Sequence, residues 1–215
     1  MLPNNYTVLG EFKKYLKNYI ARLQVFKELH YHFDIKSVLY PGSYCDVVPS
    51  LIFSKVIYVD NYKKTEKFFR DKGIREYINK NKQYPEEANI KFYLSDYRSE
   101  IKEINNNYDV LISLSAGYIS VPCKKYLKKD GILFVNNDHY DATRAYLEKD
   151  YKLIGLFDLM QNYSYSQVGL DNYFKLKSGE KLDLEKLNLL ASKPPSRSLK
   201  KFVKNSDFYI FKKVN

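Results

Sequence analysis

With 215 residues, 45% of them hydrophobic and 28% charged, the chain has the balance of one folded domain large enough to bury a core, which excludes wholesale disorder. The formal charge of +11, from 36 Lys+Arg against 25 Asp+Glu, favours an anionic partner, yet the lysines are scattered in pairs such as Lys63-Lys64 and Lys128-Lys129, without an arginine-rich arm. No window approaches the ~18 uncharged apolar residues of a membrane span and the first residues show no apolar leader core, so a cytoplasmic protein is expected; Cys45 and Cys123 make neither a disulfide framework nor a metal spacing.

Leu9, Phe12, Leu16, Ile20, Leu23, Phe26 and Leu29 recur every three or four positions and predict an amphipathic helical segment. Val38-Leu39-Tyr40 is a short apolar run that breaks at Pro41-Gly42-Ser43. A brief helical pattern from Asp46 to Phe53 follows, then a second run, Val56 to Val59, that stops at Asp60. This is a βαβ unit, and such units bind ligands at the carboxyl ends of their strands. Gly42 would let a ligand approach the backbone, and Asp60 could accept hydrogen bonds from two adjacent ribose hydroxyls, which is a nucleoside-binding layout.

A polar helix is expected from Tyr62 to Lys82, broken near Gly73, and then a third strand from Ile90 to Leu94. Asp96 sits where it would cap a helix beginning near Arg98. A fourth strand, Tyr108 to Leu114, leads into Ser115-Ala116-Gly117-Tyr118. The fifth ends in Asn136-Asn137-Asp138-His139-Tyr140-Asp141, a cluster at a strand's carboxyl end. There His139 could remove a proton as a general base, or Asn137 or Asp138 caps a helix running from Ala142 to Lys149 and His139 merely neighbours it. Tyr151 to Leu159 reads as a sixth strand and Phe208 to Val214 as the last. Between them, Tyr163, Tyr165, Tyr173 and Phe174 either build a substrate pocket or cover the sheet.

The glycine turn after the first strand, the acid ending the second, and the stretch Tyr126 to Val135, with its helix, tight turn and fifth strand, together resemble the class I S-adenosylmethionine-dependent methyltransferases. The resemblance implies an α/β fold: a Rossmann-like, doubly wound, seven-stranded, mostly parallel sheet whose last strand inserts antiparallel between the fifth and sixth. It divides a single domain into an N-terminal helical segment (1–34), a core (35–159), an insertion (160–206) and the last strand (207–215). By the same resemblance S-adenosylmethionine is the cofactor. Pro41, Gly42, Ser43 and Tyr44 would line its loop, Asp60 would hold the ribose, Asp96 and Tyr97 would face the adenine, and Ser115 and Ala116 would meet the methionine part. Asn137 and His139 are the candidates for catalysis.

The chain departs from the family pattern in carrying one loop glycine, Gly42, followed by Ser43, Tyr44 and Cys45, where members show GxGxG. It has no NPPY or DPPY, which disfavours methylation of an adenine-type amino group. A small-molecule acceptor suits the aromatic insertion and is favoured over RNA, which the charge would suit. Two other readings stand beside this one. The first is a non-catalytic relative that keeps the fold and binds a nucleoside. The second is an NAD-dependent oxidoreductase, which shares the βαβ unit but would need the missing GxGxxG to bring a helix N-terminus to the pyrophosphate.

Overall fold

The computed structural model describes residues 8–158, 164–193 and 199–215. Its strands are β1 (Val38–Pro41), β2 (Lys55–Asp60), β3 (Asn89–Leu94), β4 (Tyr108–Ser113), β5 (Leu127–Val135), β6 (Tyr151–Phe157), β7 (Tyr165–Ser166) and β8 (Phe208–Lys213). They form one eight-stranded sheet in the order β3-β2-β1-β4-β5-β8-β6-β7. The first five pair in parallel, and β8 runs antiparallel between β5 and β6. This is the expected Rossmann-like sheet with one addition, the short edge strand β7, which pairs antiparallel with β6.

Each central strand is rich in Val, Ile, Leu, Tyr and Phe and is buried on both sides, so alternate residues feed two separate cores. Val38, Tyr40, Val56, Tyr58, Val110, Ile112, Ile132, Phe134, Phe208 and Ile210 face one core. Leu39, Ile57, Val59, Leu111, Leu133, Val135, Tyr209 and Phe211 face the other. The first core is covered by α1 (Val8–Tyr19), α2 (Arg22–His32), α3 (Lys63–Arg70) and α4 (Lys72–Asn81). Covering the second are the segment 97–126, α5 (Asp141–Leu147), α6 (Leu184–Ala191) and residues 170–202 as far as they are described. The chain changes sides between β3 and β4, so the ends of β1 and β4 flank the point where a doubly wound sheet opens a crevice.

Several local expectations need correction. The helix after β1 shrinks to a single 3-10 turn, Val48–Leu51, with Pro49 in its first turn. The long helix after β2 breaks at Asp71, not Gly73: Asp71 is extended, and its side chain accepts the Gly73 N–H at 2.8 Å as the cap of α4. No helix follows β3. Asp96 instead closes a turn by accepting the Arg98 N–H at 2.9 Å. The turn before the fifth strand is absorbed into β5 itself, with Asp130 in the left-handed region and a register shift opposite Tyr108 and Val110.

The aromatics of the insertion also divide. Tyr165 packs against Gly155, Phe157 and Phe33 on one face, and Phe174 is buried against Tyr209 and Phe211 on the other. They cover the sheet rather than line one shared pocket, and Tyr163 lies outside the described residues. Among the described residues no helix is long and apolar enough to cross a membrane.

Candidate functional site

The carboxyl ends of β1 to β4 surround a cavity of ≈ 310 Å³ lined by Gly42, Asp60, Asn61, Asp96, Tyr97, Arg98 and Ala116. Five of these residues stand at the positions picked out from the sequence. Their volume falls at the lower end of the 300–1,000 Å³ typical of small-molecule sites.

Asp60 ends β2 almost buried, and its carboxylate organises the loop around it. One oxygen accepts the Tyr44 N–H at 2.9 Å and the other the Tyr62 N–H at 2.8 Å. A carboxylate offers about four lone-pair sites, so both oxygens keep acceptor capacity toward the cavity. Gly42 is required here for two reasons. Its φ is +63°, and a Cβ would lie 2.2 Å from the Ala116 Cβ, so no side chain fits between the β1 and β4 loops.

At the far wall the Arg98 guanidinium grips Asp96 with Nε at 2.9 Å and Nη2 at 2.5 Å. These bonds, with the Arg98 N–H, lower the Asp96 carboxyl to about 2. Tyr97 donates its hydroxyl to the Ala116 carbonyl at 2.7 Å. Pro41 ends β1, and Ser43 is buried beneath the loop.

Tyr44 takes a left-handed conformation with φ of 45°, uncommon for a bulky residue. Its ring is turned out of the crevice, edge-on to Tyr15 at 5.4 Å and stacked on Tyr62 at 6.0 Å. The hydrogen bond with Tyr15, aided by burial, raises the Tyr44 phenol above its ordinary range. The residue that stands where a further glycine was expected therefore leaves the cavity open.

A second cavity of ≈ 370 Å³ lies at the ends of β5 and β8, lined by Arg22, Asn136, Asn137, Asp138, Ser206 and Tyr209 among others. Ser115, left-handed at φ 55°, lines neither cavity and is bonded instead to residues of the second. Its N–H donates to Asn136 Oδ1 at 3.1 Å and its hydroxyl to Asp138 Oδ2 at 2.5 Å, while Asn136 Nδ2 donates to the same Asp138 oxygen at 2.7 Å. Asn137 has a fixed role in the fold: its Oδ1 accepts the Thr143 N–H and hydroxyl, each at 3.0 Å, and so closes the first turn of α5. His139 lies exposed at the turn and lines neither cavity.

Two features escaped the sequence reading. Asp141, fully buried, accepts from the Ser113 and Ser120 hydroxyls at 2.5 and 2.6 Å and from the Ile119 and Ser120 N–H groups, fixing the loop after β4. Arg22 pairs with buried Asp46 at 2.7 Å across 24 residues of sequence. Neither pairing leaves a local pattern, since both partners are set by tertiary contact alone.

Neither a protein-family model nor a curated protein sequence matches the chain. Among solved structures it is similar to the O-methyltransferase from the trans-AT PKS multienzyme of Brevibacillus brevis, in complex with S-adenosyl-L-homocysteine. That match has 12% identity, covers 99% of this chain and 81% of that one, and has a TM-score of 0.50. A methyltransferase from Geobacter sulfurreducens is similar over 73% of this chain and 86% of its own, at 11% identity and a TM-score of 0.47. At such identities the likeness is one of fold, and the fold is that of the class I methyltransferases.

Proposed function

We propose that this protein binds S-adenosylmethionine in the first cavity and methylates a small-molecule acceptor. The observation that carries the reading is the convergence of Gly42, Asp60, Asp96, Tyr97 and Ala116 on one cavity at the switch point of the sheet. The residues fit the nucleoside end of that cofactor. Asp60 would take the ribose hydroxyls on the acceptor sites its loop bonds leave free, the Tyr97 ring would flank the base, and Asp96 would meet its amino group. Bound there, S-adenosylmethionine supplies an activated methyl group. The chain's own part is to align the reactants and keep water out, which can supply most of the rate for a simple displacement. The reading therefore needs no proton-transfer residue and gives His139 none. Polar groups at the second cavity suit a small polar acceptor, and the scattered lysines offer no continuous track for RNA.

A specific observation favours a second reading, a nucleoside-binding protein without transfer activity. Ala116 stands directly over Gly42, and Arg98 already occupies Asp96. NAD is the poorer fit, because the loop leads into a four-residue 3-10 turn and not into a helix whose N-terminus could meet a pyrophosphate.

Isothermal titration with S-adenosylmethionine, S-adenosylhomocysteine and NAD tests these readings together. Saturable binding of the first two and none of NAD supports the cofactor site. Turnover of a labelled methyl group onto acceptor candidates then separates enzyme from binding protein. Absence of binding by either sulfur compound would remove the proposal.

A further inference from the structure

We propose that Arg22 is a positioning residue for the loop after β1, so that the cofactor loop holds its shape only while the N-terminal helix pair is docked. The inference rests on the cofactor reading above and adds to it a residue outside the crevice loops. The loop hangs from two different supports. Its first half is held from β2: the Gly42 N–H donates to the Val59 carbonyl at 2.7 Å and the Tyr44 N–H to Asp60 at 2.9 Å. Its second half is held from α2. Arg22 Nη1 donates to Asp46 Oδ2 at 2.7 Å and to the Tyr40 hydroxyl at 3.4 Å, while Tyr40 donates to the same Asp46 oxygen at 3.2 Å. Asp46 Oδ1 accepts the Val48 N–H at 3.0 Å. Tyr40 lies in β1 just ahead of the turn at Gly42 and Asp46 lies in the loop just beyond Tyr44, and one guanidinium clamps both.

Burial decides how much this clamp matters. An exposed ion pair contributes little, but Asp46 and Tyr40 are each 1% exposed. Removal of one partner of a buried pair strands the other charge without compensation. Groups facing Asp46 come from every packed element: Arg22 from α2, Tyr19 from the end of α1, Tyr40 from β1 and Tyr58 from β2. Burial raises all three phenols, so they stay neutral, and Arg22 is the cation among these groups. Nothing in the loop itself could replace it. The expected consequence of its loss is a loop free at its Asp46 end while the sheet remains assembled.

The test combines titration with S-adenosylhomocysteine and amide hydrogen exchange over residues 42–48, on the full chain and on Arg22→Met, Arg22→Lys and Arg22→Met/Asp46→Asn. Arg22→Met should weaken binding roughly tenfold or more and speed exchange at Tyr44 and Val48, while β4 and β5 keep their protection. Arg22→Lys restores the charge and should recover most of the affinity. The double variant removes the stranded charge and should recover it as well, a non-additivity that a mere stability loss would not produce. In Arg22→Met alone affinity should improve as pH falls, because a protonated Asp46 needs no counter-charge. Should Arg22→Met fail to fold, the double variant and Arg22→Lys still report, since neither leaves a bare carboxylate.

Unchanged affinity and exchange in Arg22→Met would overturn the proposal, as would a lower melting temperature with affinity intact. If the wild-type protein does not bind S-adenosylhomocysteine, the cofactor reading falls by itself. Exchange over 42–48 then decides the positioning role: acceleration in Arg22→Met supports it, and unaltered rates refute it.

Discussion

The hydroxyl of Tyr97 donates to the carbonyl of Ala116 at 2.7 Å, joining the end of β3 to the loop after β4. These strands are not neighbours, for β2 and β1 stand between them in the sheet. The bond therefore ties together two residues that line the cavity from strands on either side of β2 and β1. Tyr97→Phe keeps the aromatic ring and removes this tie alone. We expect a loss of about 0.5–1.5 kcal/mol in stability, read as a lower urea midpoint, together with weaker S-adenosylhomocysteine binding. An unchanged midpoint would show that the tie contributes nothing in solution.

Gly42→Ala should be harmful for reasons that a second substitution can separate. The new methyl would collide with Ala116 at 2.2 Å, and φ of +63° adds strain of roughly 1–2 kcal/mol. Combining it with Ala116→Gly relieves the collision and leaves the strain. The pair should thus melt above the single variant and below wild type by calorimetry. A double variant no better than Gly42→Ala would mean that the two loops do not approach as described.

Asp60→Asn changes one oxygen into an amide nitrogen, so that a donor must face either the Tyr44 or the Tyr62 N–H. The lost charge-assisted bond and the stranded donor cost about 1–3 kcal/mol. We expect the loss in both urea stability and cofactor affinity, because the same carboxylate shapes the loop and faces the cavity. Loss of affinity without loss of stability would place Asp60 on the ligand alone.

Asp109 acts at the opposite end of the strands, near the start of β4. Its Oδ2 accepts the Lys36 and Ser37 N–H groups and the Ser37 hydroxyl at 2.7–2.9 Å, and its Oδ1 pairs with Lys128. Burial opposes ionisation there, but Lys128 and Ser37 outweigh it and hold the carboxyl below the ordinary carboxylate range. A lowered folded pKa contributes stability above the unfolded value of about 3.9 and loses it as pH falls further. Asp109→Ala should cost roughly 2–4 kcal/mol near neutrality. In urea melts the gap from wild type should narrow between about pH 5 and pH 3, and a gap independent of pH would contradict this account.

The strands within residues 38–60 and 108–135 are legible in the sequence because buried parallel strands write themselves as unbroken apolar runs, whereas their order is what the family resemblance implies. Helices were read less well. Asp71 sets a helix boundary through a local side-chain hydrogen bond that periodicity does not register. Asp96 illustrates a different limit: its position at the end of β3 was visible, but its capture by Arg98 two residues on depends on a turn, not on a pattern. Tyr44 is the sharpest case. Sequence alone shows a bulky residue in a glycine's place, and only the fold shows the ring directed outward to Tyr15 and Tyr62.

The placement of β8 between β5 and β6 has a consequence for how the protein comes into being. On the ribosome, β1 to β5 can pair as soon as they emerge, but β6 and β7 have no place in the sheet until β8 has been made. Until then both β5 and β6 present bare edges that invite pairing with another chain. The same late strand supplies Phe208 and Tyr209 to the second cavity. Every residue lining the first cavity thus precedes β5 in the chain, whereas the second depends on the last strand to be made.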